Sequence, residues 1–463
     1  MKTILTTIFL LGVTLQLALA QSANLSDDYK KALVEQISSE LENRYVFPEK
    51  AAEITQHLKA QEAKGSFSEA DNWESFAEQL TEEIYEVVGD KHIIVSQKQE
   101  AVNSESQESD PLESWIDSRM EERMYFRRYN ANFKMVEKLE DNIGYLDLRG
   151  FYGLDYGRKF ADAAIEMLAT SDAIIIDLRN NSGGRGDMVD YMLSHFFEEP
   201  IITGVSRKRS GDEFVDRVHK TQVRKGKRII TDTPVFILTS AKTFSAAEAF
   251  SYPMQVYDRA TFIGETTKGG ANAGDLISLD DHMEIFIPDV AGMPHPVSGT
   301  TFEGIGIIPD VKVPSNQAFD MGLELAAEAA KDYKKTKDAE ARETLIALNG
   351  LISNYEGEND QKIVDAYLDC RAKDLIFEEW ELNSLGYQLL NGDSPKTAQA
   401  VLKANTVLYP HSANAFDSYA EVLLKNGQKS EAISNYEKAV EIAEANGSSE
   451  LTYYQENLKK AKE

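Results

Sequence analysis

The chain has 463 residues, 42% of them hydrophobic, and its 77 acidic and 49 basic side chains give a formal net charge of −28 at pH 7. This length predicts two or three globular domains. The negative charge argues against a nucleic-acid partner and against binding to anionic membrane surfaces, because both would repel the chain. The only cysteine is Cys370, which excludes an internal disulfide and a cysteine-bound metal site.

The first twenty residues have the pattern of an export signal. Lys2 precedes an apolar run over Ile4–Leu19, and Ala18-Leu19-Ala20 provides a small-residue cleavage site before Gln21. A transmembrane anchor is the alternative, but the run is short for a span and its end is cleavable. No cysteine follows the cleavage site, so no lipid anchor is expected. We therefore predict a signal peptide over 1–20, a periplasmic or secreted protein, and no membrane span after cleavage.

Residues 21–100 are predicted to be an N-terminal helical segment. The segment ends in Gly89-Asp90-Lys91-His92-Ile93, a turn that runs into the start of an apolar strand. The following stretch, 101–135, is predicted to be a polar loop and connection. It is too short to hold an inserted PDZ-like domain.

Strand-like and helix-like stretches alternate over 136–317, which predicts an α/β core. The expected strands are Ile143–Leu148, Ala173–Leu178, Val235–Thr239 and Ala260–Ile263, and the expected helices include Tyr156–Ala169 and Ala246–Tyr257.

A glycine turn follows the second of these strands. Asn180-Asn181-Ser182-Gly183-Gly184 tolerates positive φ and exposes backbone N–H groups. Such a turn can form an anion-binding nest and, in acyl transfer, half of an oxyanion hole. A tight turn into the next helix is the alternative interpretation.

The strand Val235–Thr239 is followed by Ser245, at the point where helical composition begins. A serine at a strand-to-helix turn is lifted out of the sheet, and the next backbone N–H, that of Ala246, points at whatever the serine attacks. A serine in this position also commonly caps a helix.

A nucleophilic serine needs a base, and the chain offers seven histidines: His57, His92, His195, His219, His282, His295 and His411. The residues alone do not choose among several of them. Glu303, which lies between glycines, is a candidate for the acid that orients the base, although a lone glutamate is more commonly a solvated loop residue.

The chain beyond residue 317 is helical in composition, with a predicted helical linker over 318–380 and tetratricopeptide-like repeats over 381–463. Leu382–Tyr387 recurs at Phe416–Glu421, 34 residues later, which is the period of tetratricopeptide helix pairs. Such repeats predict either a protein partner in a concave groove or a helical cap that stabilises the rest of the protein or mediates dimerisation.

Four motifs in order, DLRNNSGG, TFSAAEAF, RATFIGETTKGGANAG and GIGIIPDVKV, resemble those of the C-terminal processing (tail-specific) serine peptidases. The resemblance covers about Leu33 to Val313 and is closer to the branch of the tricorn core and the interphotoreceptor retinoid-binding protein modules. It implies a crotonase-like ββα spiral core.

The tricorn-like branch uses Ser, His and Glu, and the resemblance maps these roles onto Ser245, His92 and Glu303. The processing branch uses a Ser–Lys dyad, whose lysine position falls on Gly270 here, while Lys268 comes two residues earlier. A Ser245–Lys268 dyad is thus the alternative mechanism, and Lys91 stands where the tricorn core has a second serine.

Together these observations predict an exported serine peptidase that cleaves peptides or proteins through an acyl-enzyme. Its oxyanion hole would be formed by Gly183, Gly184 and Ala246, with no cofactor and no metal. A binding protein on the same scaffold, for a hydrophobic ligand or a protein partner, is the rival function. Homo-oligomerisation, the substrate sequence and the roles of Lys268, His282 and His295 stay open.

Overall fold

The computed structural model describes residues 25–98, 111–211, 213–222 and 230–463. The predicted signal peptide and the polar residues 101–110 lie outside them. The chain divides into two compact units, Met1–Tyr333 and Lys334–Glu463. None of the helices in the described ranges is both long and apolar enough to cross a membrane.

The α-helices of the described residues are numbered in chain order. They are α1 Asp27–Arg44, α2 Pro48–Ala63, α3 Trp73–Val88, α4 Pro111–Tyr129, α5 Leu154–Leu168, α6 Gly186–Leu193, α7 Ala246–Val256, α8 Ala318–Ser353, α9 Asp360–Ala372, α10 Glu379–Asn391, α11 Pro395–Leu408, α12 Ala413–Lys425, α13 Lys429–Ala445 and α14 Leu451–Lys462.

The strands of the same residues all lie in the first unit. They are β1 Ile94–Gln97, β2 Phe133–Lys138, β3 Ile143–Leu148, β4 Ala173–Asp177, β5 Ile202–Ser210, β6 Glu213–Lys220, β7 Val235–Thr239, β8 Thr261–Gly264, β9 Ala273–Ser278, β10 Met283–Met293 and β11 Val311–Lys312.

The central sheet has six strands in the order β11-β8-β7-β4-β3-β2, parallel except for β2. Every residue of β4 and β7 is buried, because α5, α6 and α7 contribute to the core on one face and the first half of α8 on the other. The predicted α/β core and its four strands are confirmed, although β4 ends one residue earlier than expected and both ends of β8 lie one residue later. Since β4 and β7 are parallel neighbours, the turns after them meet at one edge of the sheet.

The second sheet is antiparallel, in the order β1-β10-β5-β6, with β9 also paired to β10. Helices α1 to α3 share a hydrophobic core with one face of this sheet. Gly89 ends α3 in a left-handed conformation with φ 67°, and the chain then enters β1. The predicted N-terminal helical segment is therefore present, and its closing turn delivers His92 to the start of β1.

The stretch 101–135 is not all loop, because α4 occupies Pro111–Tyr129. A proline at the first helical position and a run of good helix formers explain the difference. The second unit is all helical, as its composition predicted. Helices α10 and α12 begin 34 residues apart, at 379 and 413, and α11 and α13 begin at 395 and 429, which is the same spacing.

Candidate active site

Ser245 occupies a strained turn between β7 and α7. Its backbone has φ 54° and ψ −117°, a conformation that non-glycine residues rarely adopt. The Ser245 N–H donates to Glu248 Oε2 at 2.9 Å, which is the acid half of a capping box at the start of α7. Ser245 also lines a cavity of about 610 Å³. Strain of this kind persists only where the surroundings impose it, and it is concentrated at functional sites.

Hydrogen bonds tie this turn to the end of the neighbouring strand β4. Thr243 Oγ1 donates to the Leu178 carbonyl at 2.8 Å, and the Phe244 N–H donates to the Asn181 carbonyl at 3.1 Å. The serine turn and the glycine turn are therefore one assembly.

The glycine turn is packed directly beneath Ser245. A Cβ on Gly183, which has φ 116°, would lie 2.9 Å from Ser245 Cβ and 3.1 Å from the Ala246 nitrogen. A Cβ on Gly184, which has φ 136°, would lie 2.1 Å from the Phe151 carbonyl oxygen. Only glycine fits at either position, because a side chain would clash with the backbone or the nucleophile.

The amides around Ser245 differ in their partners. The Gly183 N–H donates to the buried Asn181 Oδ1 at 2.9 Å. The N–H groups of Gly184 and Ala246 donate to no group within the described ranges. These two amides can donate to a negatively charged oxygen, whereas the Gly183 N–H cannot, because it is already bonded to Asn181. Gly183 matters because a side chain there would crowd the Ala246 nitrogen.

His92 lines the same cavity, and it is the only one of the seven histidines that does so. Its ring is 5% exposed and is stacked on Phe244 with the ring centroids 4.3 Å apart. Neither ring nitrogen has a hydrogen-bond partner among the described residues, so no hydrogen bond joins His92 to Ser245 here. Catalytic hydrogen bonds are often loose before substrate binds.

Asp90 is the carboxylate nearest to the His92 ring, with Oδ1 3.7 Å from Nδ1. Oδ1 accepts the His92 N–H at 2.9 Å, and Oδ2 accepts the Tyr45 hydroxyl at 3.0 Å and Asn272 Nδ2 at 2.9 Å. Burial would raise the pKa of Asp90, but the hydrogen bonds from His92 and Asn272 outweigh it and the pKa is lowered. Asp90 is thus a fully bonded, ionised group that holds the turn carrying His92.

Glu303 lies in the same cluster, and its carboxylate accepts fewer hydrogen bonds than that of Asp90. Oε2 accepts the N–H groups of Ala271 at 2.5 Å and Asn272 at 3.2 Å. Burial raises the pKa of Glu303, the charge of Asp90 raises it further, and the amides and His92 lower it only in part. The structure shows no ion pair between Glu303 and His92 within the described residues.

Glu248 is completely buried beneath the nucleophile turn. Oε2 accepts the N–H groups of Ser245 and Gly270, and Oε1 accepts the Gly269 N–H at 2.6 Å and the Thr267 hydroxyl. Burial raises the pKa of Glu248 although these bonds oppose it. The side chain therefore fastens the serine turn to the segment that adjoins His92.

One wall of the cavity is apolar. Ile94, Phe286 and Leu276 are in register across β1, β10 and β9 and share one face of the sheet. Ile94 and Leu276 are exposed although both are large and apolar. Exposed apolar surface of this kind is typical of a site that contacts a ligand or a partner.

Comparison with known proteins places the chain. The model for peptidase family S41 matches residues 142–313, and the model for the N-terminal domain of peptidase S41 in eukaryotic IRBP matches residues 19–135. The chain belongs to peptidase family S41. The expected relationship to the C-terminal processing peptidases is confirmed.

Curated relatives of this S41 chain carry the names of processing proteases. It is 26% identical over 184 residues to the carboxy-terminal-processing protease of Bartonella bacilliformis, covering 38% of this chain and 40% of the relative. It is 28% identical over 199 residues to the carboxyl-terminal-processing protease of Synechocystis sp., covering 42% and 43%. The chain thus spans about two fifths of the length of these relatives.

Among solved structures, the photosystem II D1 C-terminal processing protease is similar with 20% sequence identity and a TM-score of 0.31. The match covers 38% of this S41 chain and 43% of that chain.

His92 lies against Gly270, the residue at which the resemblance to the processing branch predicts that branch's lysine. A Cβ on Gly270 would lie 2.4 Å from His92 Cε1 and 2.2 Å from Phe244 Cε2. A lysine at 270 and the observed His92 ring would therefore require the same space. Lys268 is exposed, and its Nζ lies 4.5 Å from the centroid of the Phe244 ring.

The histidines left open by the sequence have other surroundings. His282 is stacked on Trp73, with centroids 4.7 Å apart. His295 Nε2 bonds the Ile202 carbonyl at 2.9 Å, and its Nδ1 accepts the Val297 N–H at 3.2 Å. These contacts explain both rings as parts of the fold.

Sequence reasoning missed Asp90, Asn181 and Glu248. Asp90 is two residues before His92, and an acid so close to a candidate base in the same turn could have indicated its role. Glu248 is three residues after Ser245, at the site where a capping-box acid binds the N-cap amide. Asn181 looked like a turn residue only.

Proposed function

We propose that this S41 chain is an exported serine peptidase that cleaves peptide bonds through an acyl-enzyme. The observation that carries the proposal is the strained Ser245 turn, which shares one cavity with His92 and with Gly184, whose N–H donates to no group in the described ranges. This combination supplies a nucleophile, a base and an oxyanion donor at one place.

In the first step, Ser245 Oγ attacks the carbonyl carbon of the substrate while His92 takes the hydroxyl proton. The carbonyl oxygen becomes an oxyanion that the N–H groups of Gly184 and Ala246 bind. His92 then gives its proton to the leaving amine, and the C–N bond breaks. Water then attacks the acyl carbon while His92 takes one of its protons, and His92 returns that proton to Ser245 Oγ as the ester C–O bond breaks and the acid product leaves.

Glu303 is proposed to stabilise the imidazolium of His92. Glu303 is half-buried and its pKa is raised, so a positive charge that appears on the neighbouring His92 during the reaction stabilises the carboxylate. Asp90 accepts three hydrogen bonds and lies 3.7 Å from His92 Nδ1, and it is proposed to position the His92 turn. Both acids thus stabilise a positive charge on His92, and Asp90 also holds the turn that carries the ring.

Export is proposed from the signal-like residues 1–20. The crotonase-like core is proposed from the family motifs and the parallel central sheet. The two helix pairs of the second unit, with their common 34-residue spacing, support tetratricopeptide-like repeats. Gly386 lies against Leu402, as close packing between the two helices of a repeat requires. A protein partner for these repeats is part of the same proposal.

Labelling of the mature protein with a fluorophosphonate probe tests the mechanism. Labelling should disappear in Ser245→Ala and His92→Ala. Ser182→Ala is the matched control, because Ser182 is an exposed serine of the same cavity. Absence of labelling in a folded wild type would favour a binding protein. Loss of labelling in Lys268→Met with retention in His92→Ala would favour the dyad.

A further inference from the structure

Helices α2 and α3, which share a hydrophobic core, also bring three polar side chains together. His57 lies on α2, and Glu83 and Glu86 lie on α3. One possible ligand atom from each lies within 4.8 Å of the others, and no other three histidine, cysteine or acidic side chains of the described ranges meet this condition. None of the three lines the cavity that contains Ser245, so the proposed mechanism leaves the cluster unassigned.

Helical periodicity explains why these side chains converge. Glu83 and Glu86 are three residues apart on α3, a spacing that puts both on the same face of the helix. On α2, Gln61 follows His57 by one turn and shares its face. The Gln61 amide nitrogen is 3.0 Å from Glu83 Oε2 and 3.5 Å from His57 Nε2, so a fourth polar side chain lies against the cluster.

The contacts within the cluster leave negative charge uncompensated. His57 Nε2 lies 2.5 Å from Glu83 Oε2, and Gln61 donates to the same oxygen. The exposed Glu86 has no hydrogen-bond or ion-pair partner in the part of the chain that the structure describes. Even a protonated His57 would therefore balance only one of the two carboxylates.

The cluster lies at the end of α3, where a cation is favoured. The last two turns of α3 carry Glu82, Glu83 and Glu86, and its last turn has no basic residue. The carboxyl end of a helix has a partial negative charge, so acids there are unfavourable unless a cation lies nearby. The net charge of −28 adds a general attraction for cations.

The types of ligand atom indicate which cation fits. One imidazole nitrogen and two carboxylate oxygens form a set that Zn²⁺ accepts, with water in the fourth position. Mg²⁺ and Ca²⁺ prefer oxygen ligands alone, so the histidine favours a transition metal. With Zn–N and Zn–O distances of about 2.0–2.2 Å, the ligand atoms of a tetrahedral site are about 3.3 Å apart. Small side-chain rotations would bring the three atoms to that spacing.

We propose that His57, Glu83 and Glu86 bind one divalent transition-metal ion, with Zn²⁺ as the expected occupant. The ion fastens α2 to the end of α3. Gly89 ends that helix, and the turn that follows carries His92, so the ion stabilises the segment from which the proposed base projects. The site is separate from the catalytic chemistry, for which no metal is expected, and it does not depend on the peptidase function.

Binding is measured by isothermal titration of the untagged mature protein with ZnCl₂, after treatment with EDTA and its removal, in buffer that contains millimolar Mg²⁺. The wild type should bind one equivalent of Zn²⁺. The ion should also raise the melting temperature, because it binds the folded chain better than the unfolded chain.

His57→Ala should weaken Zn²⁺ binding by more than the roughly 10–100-fold that loss of a group beside a metal ligand costs, since it removes a ligand itself. Glu86→Gln should have the same direction of effect. Because Glu86 is exposed, this second variant should fold as the wild type does. A thermal melt of each variant in EDTA shows whether it is folded without the ion.

Glu78→Gln and His411→Ala are the matched controls. They remove an exposed acid of the same helix and an exposed histidine, neither of which belongs to the cluster. Both variants should bind Zn²⁺ as the wild type does, and both should show the same rise in melting temperature.

Absence of Zn²⁺ binding to the wild type in the presence of Mg²⁺ would overturn the proposal. Binding of several equivalents with equal affinity would also overturn it, since that result would mean general attraction to an acidic surface. So would binding that survives His57→Ala or Glu86→Gln in a folded variant, or binding that a control substitution weakens equally.

Discussion

Replacing Gly270 with alanine should displace the catalytic base while leaving every proposed catalytic side chain present. The new Cβ would lie 2.4 Å from His92 Cε1 and 2.2 Å from Phe244 Cε2. Ordinary van der Waals contact begins at 3.4 Å, so the His92 ring must move by about 1 Å. The ring cannot simply turn away, because it is buried and stacked on Phe244.

A displacement of this size has a large expected effect on rate. A misplacement of about 1 Å in a catalytic group can reduce the rate about 100-fold. Overpacking of a buried site costs about 1–3 kcal/mol, which a domain of this size can tolerate. Gly270→Ala should therefore fold, and its kcat/KM should fall about 100-fold.

The assay combines peptide hydrolysis, the rate of fluorophosphonate labelling and a thermal melt. Gly153→Ala is the control, because a Cβ there has no atom within 4 Å. If the effect acts through His92, then His92→Ala with Gly270→Ala should be no slower than His92→Ala alone. Unchanged kcat/KM in Gly270→Ala, or additive losses in the double variant, would refute the link between the glycine and the base.

Three further substitutions separate the roles of the acids and of the lysine. Burial raises the folded-state pKa of Glu303, so ionisation of this carboxyl lowers the stability of the folded protein at pH 7. Glu303→Gln should therefore melt at or above the wild-type temperature at pH 7, while its activity is lost. The lowered pKa of Asp90 means the opposite: its stabilisation is present above the ordinary pKa and is lost as pH falls through the folded pKa. Asp90→Asn should therefore melt below the wild type at pH 7 and nearer to it at acidic pH, and an equal shift in both melts would contradict this. The pKa of Glu248 is also raised by burial, but each of its two oxygens accepts two hydrogen bonds, whereas only Oε2 of Glu303 accepts any. Glu248→Gln therefore turns an amide NH₂ toward buried donors and should lower the free energy of unfolding by about 1–3 kcal/mol in chemical denaturation. Lys268→Met should reduce kcat/KM less than ten-fold, because an exposed ammonium beside Phe244 adds only about 0.5–1 kcal/mol; a loss as large as that of His92→Ala would restore the lysine mechanism.

The buried strands could be predicted from sequence because β4 and β7 are continuous apolar runs with a turn residue at the end of each. Their parallel pairing then brings Gly183 near Ser245. The local pattern could not show that Asn181 takes up the Gly183 amide, since this depends on a side-chain rotamer in a turn. The sequence pattern also could not show which histidine is the base, because His92 enters the cavity of Ser245 only through the packing of two sheets.

No hydrogen bond joins Ser245 to His92, so their relative position must be set by other groups. The four residues 269–272 provide this connection. The amides of residues 269 and 270 bind Glu248, which also binds the Ser245 N–H. The amides of residues 271 and 272 bind Glu303, and the Asn272 side chain binds Asp90, which holds the His92 turn. One short segment is thus fastened to the nucleophile, to the base and to the acid. A Cβ at residue 270 would lie 2.4 Å from His92 Cε1, so this segment leaves room for the His92 ring only while residue 270 is glycine.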